Sequence, residues 1–123
     1  MTQKDKELLI KDLSARLPYN VRVEYNGTTL TNIFDVLGIA HGRIMLCLPF
    51  MSKTECPLIE EVKPYLFPLS SMTEEQKADL TKFVSNGIYN ENIVYDWYNK
   101  NHFDYRGLIE KGLANDATGL NIY

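Results

Sequence analysis

The chain has 123 residues, enough for one domain that hides roughly two-thirds of its unfolded surface on folding. Its 45% hydrophobic and 24% charged residues are ordinary globular values and exclude disorder for the bulk of the chain. A net charge of −3 with no lysine or arginine cluster argues against sustained contact with nucleic-acid phosphates, and no apolar run approaches the roughly 18 residues needed to span a bilayer.

The first segment reads as a helix from about Lys4 to Leu17, with Leu9, Leu13 and Leu17 at i, i+4 and i+8 beside Ile10. Thr2 or Gln3 stands at its start, and Pro18 stops it because the ring cannot continue the backbone bonding. Val21-Arg22-Val23-Glu24-Tyr25 alternates strictly, the pattern of a half-buried strand with Val21, Val23 and Tyr25 inward. Asn26-Gly27 is the pair that most easily takes positive φ at both turn centres, so the chain is expected to return through Thr28–Phe34 as a hairpin. Gly38 and His41-Gly42 punctuate the next stretch, and Arg43–Leu48 reads as a third strand. The economical fold is α+β: an N-terminal helix packed on a small three-stranded antiparallel sheet within residues 1–48, followed by a C-terminal group of helices.

Residues 49–72 hold four of the five prolines and read as an irregular crossing segment. Pro57 and Pro64 bracket one short helical piece, Leu58–Lys63, and Leu58, Ile59, Val62, Tyr65, Leu66, Phe67 and Leu69 carry too much apolar surface for a flexible linker. Residues 73–112 read as helical. Thr73-Glu74-Glu75-Gln76 has the form of a capping box, opening a helix that runs to about Val84, buries Leu80, Phe83 and Val84, and stops at Asn86-Gly87. Asn90 caps a second helix, Glu91 to about Asn101, with Ile93, Val94 and Trp97 inward; Asp104 caps a third, Tyr105–Lys111, closed by Gly112. Residues 113–123 read as a loose tail on a single domain spanning 1–123.

Chemical motifs are sparse. The cysteines Cys47 and Cys56 are nine positions apart and the histidines His41 and His102 sixty-one apart, whereas zinc sites in small domains bring ligands in close pairs; no metal or other cofactor is expected. Cys47 lies in an apolar run and reads as a small buried hydrophobe, and no basic neighbour or helix start activates either thiol. Ser70-Ser71 precedes a helix start, where serine serves as a cap, and neither G-x-x-x-x-G-K nor G-x-G-x-x-G is present. Nothing places two of Asp96, Asp104 and Glu110 at a catalytic separation. The chain is not expected to be an enzyme.

The densest chemical neighbourhood is Tyr89–Arg106, with six of the fourteen aromatic residues. Tyr95, Tyr98 and His102 fall at i, i+3 and i+7, a second face beside Val94 and Trp97. Two readings follow: a central helix packed on two sides, with Arg106 paired to Asp104 or Glu110, or a binding surface, since Tyr, Trp and Arg dominate interface hot spots. The candidate binding residues are Tyr95, Trp97, Tyr98, His102, Tyr105 and Arg106.

Lys6–Pro18 (KELLIKDLSARLP), Glu61–Glu75 (EVKPYLFPLSSMTEE) and Asp96–Ala114 (DWYNKNHFDYRGLIEKGLA) resemble a family of short proteins of gut anaerobic bacteria, their prophages and other mobile elements. The resemblance implies a cytoplasmic accessory protein and carries over no catalytic role. The first residues, MTQKDKELLI, also lack the apolar stretch and cleavage site of a secretory signal. The expected function is protein–protein binding with an unknown partner, with a homodimer seam on the same face as an open variant. The alternatives are a phage-derived binder of a small nucleotide signal, with rings stacking a base and Lys100 or Arg106 meeting phosphate, and an enzyme with a dispersed site.

Overall fold

The computed structural model describes residues 1–25, 33–47, 54–85 (side chains to Lys82) and 91–123. Helix α1 (Gln3–Arg16) opens on a reciprocal cap: the Thr2 hydroxyl accepts the Asp5 N–H at 3.1 Å and the Asp5 carboxylate accepts the Thr2 N–H at 3.2 Å. The pair satisfies two amides that a first helical turn leaves without partners. Leu9 and Leu13 are fully buried, as their spacing predicts, and so are Asp12 and Arg16. A 3₁₀ turn at Leu17–Tyr19 and a left-handed Asn20 (φ 58°) swing the chain into the sheet.

The sheet is mixed and larger than the three strands expected. Strands β1 (Arg22–Tyr25), β2 (Ile33–Ala40), β3 (Arg43–Cys47), β4 (Thr54–Glu55), β5 (Val62–Pro68) and β6 (Phe103–Asp104) run in the order β4-β3-β2-β1-β5-β6, and β7 (Asn115–Asp116) also pairs with β5. The β2–β3 hairpin turns at His41 (φ 53°) and Gly42 (φ 73°), the two consecutive positive φ values that a tight hairpin requires. Strand β5 is antiparallel to β1 and parallel to β6 and β7. It lies inside the proline-rich stretch read as irregular: Pro64 sits opposite Val23, and Pro68 ends the strand. The expected helical piece before it is a single 3₁₀ turn, Ile59–Glu61.

Successive strand residues point to opposite faces, and around β5 both faces of this sheet are covered. On one, α1 sets Leu9 and Leu13 against Val23, Phe34, Ile44, Leu46 and Leu66. On the other, Tyr65, Ile33 and Phe67 pack with Ala117 and Ile122. Residues 113–123 are therefore not a loose tail: Leu113, Ala114, Ala117 and Ile122 are all at most 6% exposed. Arg22 Nη1 donates to the Ile122 carbonyl at 2.6 Å. The β1–β5 register would next set Arg22 opposite Tyr65, and the Tyr123 hydroxyl occupies that rung, accepting the Arg22 N–H at 2.9 Å and donating to the Tyr65 carbonyl at 2.7 Å.

Two C-terminal helices are present. Helix α2 (Glu74–Ser85) starts at the expected capping box, with Gln76 N–H on the Thr73 hydroxyl at 3.1 Å and Thr73 N–H on the Gln76 side chain at 2.8 Å. Helix α3 (Glu91–Lys100) buries Trp97, while Ile93, expected inward, is 42% exposed. No third helix follows, because Gly107 and Gly112 each stand at φ +74° and leave room between them for only one turn. Asp104, expected to cap that helix, instead closes this turn by accepting the Leu108 and Ile109 N–H groups at 2.9 Å each. The Asn26-Gly27 turn, the start of the return strand at Thr28, the Asn86-Gly87 stop, the Asn90 cap and the burial of Phe83 and Val84 fall outside what is described. Among the described residues no helix is long and apolar enough to cross a membrane.

Candidate functional site

The six sequence-predicted residues do not form one cluster. On helix α3, Trp97 meets the edge of the Tyr98 ring at 5.8 Å and otherwise packs toward α2 and β6. Trp97 Nε1 donates to Asp79 of α2 at 3.0 Å, and its ring lies parallel to Phe103 at 5.7 Å. This is core packing between α2, α3 and β6. His102 also leaves the tyrosines. The helix ends at Lys100, and His102 adopts φ 62°, so the i, i+3, i+7 spacing no longer describes one face. Its carbonyl accepts the Phe67 N–H at 2.8 Å and opens β6, while its ring stacks on Tyr123 at 3.5 Å.

The remaining four come together, with Tyr95, Tyr98 and Arg106 around Tyr105. Tyr95 and Tyr98 stack near-parallel on its ring at centroid distances of 5.0 and 5.5 Å. The Arg106 guanidinium lies 4.6 Å from the ring centroid and that of Arg16 lies 5.5 Å from it, distances at which a cation is attracted to the ring quadrupole. The Tyr105 hydroxyl donates to Asn99 Oδ1 and accepts Arg106 Nη1, each at 3.0 Å.

Beneath this layer lies an ionic group that the sequence reading missed. Arg16 grips Asp12 side-on, Nε to Oδ2 at 2.8 Å and Nη2 to Oδ1 at 3.1 Å, and Nη2 also donates to the Phe103 carbonyl at 2.6 Å. Arg106 Nη1 reaches Asp12 Oδ1 at 3.4 Å. The expected pairing of Arg106 with Asp104 or Glu110 is thus replaced by one with Asp12, because Asp104 turns both oxygens to backbone amides. Asp12 and Arg16 side chains are fully buried and that of Arg106 is 16% exposed. A signal for them was in the sequence: positions 9, 12, 13 and 16 share one helical face, so a polar pair sits within the leucine stripe.

Burial, then Arg16 and Arg22, push the His102 imidazole down to about 4. Burial, then Asp35, raises the Cys47 thiol. Tyr123 is 42% exposed as a residue, yet its hydroxyl end is enclosed, and burial pushes the phenol up to about 12. Among the described residues no group of three or more His, Cys, Asp or Glu side chains could hold a metal ion. An open groove of about 400 Å³ beside Tyr105 is lined by Pro68, Leu69, Ser70, Asp104, Gly107, Ile109 and Glu110.

No family model, curated protein or solved structure matches the chain. The chemistry of the residues themselves is what separates the possible functions. The site offers a pre-set aromatic surface backed by fixed charge: Tyr95 is 44% exposed, and the ring under it is locked by two stacked partners, two hydrogen bonds and two cations.

Proposed function

We propose that this is a non-enzymatic binding protein that engages another protein through the Tyr95–Tyr105–Arg106 surface. The observation that carries the reading is the exposed Tyr95 stacked on the immobilised Tyr105. Aromatic and arginine side chains give large contact area, and when they are already ordered little rotamer freedom is lost on binding. The shifts on His102 and Cys47 point the same way, since an imidazole near 4 is a weak base at neutral pH and a raised thiol is a weak nucleophile. The resemblance of Lys6–Pro18, Glu61–Glu75 and Asp96–Ala114 to short prophage and mobile-element proteins supports an accessory role in the cytoplasm. Binding of a nucleotide signal is the second reading, favoured by the ring–guanidinium arrangement at Tyr105 and Arg106.

The test places a photo-crosslinking amino acid at position 95 in the native host, then measures the captured protein's affinity for purified variants. Tyr95→Ala is expected to weaken the complex about tenfold or more. Leu37→Ala, at a residue 53% exposed on β2, is expected to leave it unchanged. Equal affinities for wild type and Tyr95→Ala overturn the reading. Capture of no protein, combined with a nucleotide-induced rise in Tm, transfers the surface to the second reading.

A further inference from the structure

Resting on that protein-binding reading, we infer that the partner presents an aspartate or glutamate carboxylate to the free edge of Arg106, with a flat side chain beside it on Tyr95. Arg106 has spent one terminal nitrogen: Nη1 serves both Asp12 and the Tyr105 hydroxyl. Nε and Nη2 take no partner among the described residues. Neither is among the buried side-chain atoms that lack a partner, so both keep some exposure on a side chain that is 16% exposed. These two N–H groups lie parallel on one side of the planar guanidinium, the fork that matches the two oxygens of a carboxylate.

The same site already contains the filled version of that geometry. Arg16 uses its Nε and Nη2 to hold Asp12 in the side-on arrangement. Arg106 touches the same carboxylate through Nη1 alone, which leaves the identical Nε and Nη2 edge unfilled. Charge points in the same direction. Asp12 serves two guanidinium groups, and Arg16 Nη1 is buried without a partner. Asp104, the nearest further carboxylate in sequence, spends its oxygens on Leu108 and Ile109 and forms no ion pair with either arginine among the described residues. The Arg106 edge is held against Tyr105, so its orientation is set before a partner arrives. A lysine cannot reproduce this contact, because its ammonium is a point donor without the fork.

The test is nuclear magnetic resonance of the intact protein, following the Arg106 Nε–Hε and Tyr95 ring signals. The probes are blocked Phe-Glu-Ala, blocked Phe-Gln-Ala, acetate and inorganic phosphate, each up to millimolar concentration. The expected result is movement of both signals with Phe-Glu-Ala at a concentration about tenfold lower than acetate or phosphate requires, and none with Phe-Gln-Ala. Arg106→Lys and Arg106→Gln, with the amide spectrum reporting that each is folded, are expected to abolish the Tyr95 response to Phe-Glu-Ala. Equal responses to the Glu and Gln peptides, or none from Arg106, overturn the inference. So does saturation by acetate or phosphate at the peptide's concentration, which would make the site a receptor for free anions. A partner that still crosslinks at position 95 and still depends on Tyr95 in any of those cases leaves the protein-binding reading standing. Loss of that partner removes the reading itself.

Discussion

Asp12 joins α1 to the turn that carries the exposed surface. Its carboxylate meets Arg16 from the same helix and Arg106 from ninety-four positions away, in a place where neither it nor Arg16 reaches solvent. Removing one member of a buried ion pair leaves an uncompensated charge, which costs far more than the pair itself contributes. Asp12→Asn is expected to lower stability by about 3–5 kcal/mol, read from the urea midpoint at constant slope. Tyr95→Ala removes a half-exposed ring and is expected to cost about 1 kcal/mol or less beyond its stacking on Tyr105. His102 and Tyr123 each make the stability of the fold depend on pH. His102 titrates lower folded than unfolded, so its contribution is complete above about pH 6.5 and is lost as pH falls toward 4. Tyr123 titrates higher folded than unfolded, so its contribution is complete below about pH 10 and is lost as pH rises toward 12. Urea midpoints across pH should show both declines. His102→Asn, which tolerates the left-handed φ, should flatten the acid decline, and Tyr123→Phe should flatten the alkaline one.

The C-terminal segment from Asn115 to Tyr123 acts as an element although most of it has no regular secondary structure. It buries Ala117 and Ile122 on the sheet face opposite α1, pairs β7 with β5, and fills the Arg22–Tyr65 rung with the Tyr123 hydroxyl. Truncation after Ala114 exposes Tyr65 and Phe67 and is expected to cost about 3 kcal/mol or more; a fall in Tm of several degrees checks it. Tyr123→Phe alone should cost about 1–3 kcal/mol, since it leaves a strand amide and a carbonyl without their partner. This segment shows why the sequence was legible only in part. Local signals held where local physics decides: the Leu9–Leu13 spacing on α1 and the Thr73 capping box stand as read. Strand β5 was hidden because Pro64 and Pro68 look like breakers, and because Pro64, Tyr65 and Leu66 are buried in succession on two covered faces, which leaves no alternation to read. Strands β6 and β7 are two residues each, too short for any period to register. At the site, the Tyr95–Tyr98 spacing was readable on α3, but the separation of His102 depended on a backbone reversal at one residue. The Asp12–Arg106 contact joins distant parts of the chain, and no local pattern encodes it.

Across the whole molecule, α1 covers one face of the sheet, the C-terminal segment covers the other around β5, and the charged and aromatic cluster sits where α1, α3 and the turn after β6 meet. That junction is rigid by construction: every group in it except the outer face of Tyr95 and the free edge of Arg106 has a partner or is buried. A surface ordered in this way loses little freedom on binding, which favours recognition of a partner without a change of fold. Hydrogen exchange of the protein alone and in complex with the captured partner tests this most directly. Added protection is expected at the end of α3 and in residues 103–107 alone, with exchange across the β2–β3 hairpin unchanged. Protection centred on that hairpin, or none within residues 95–107, would contradict it.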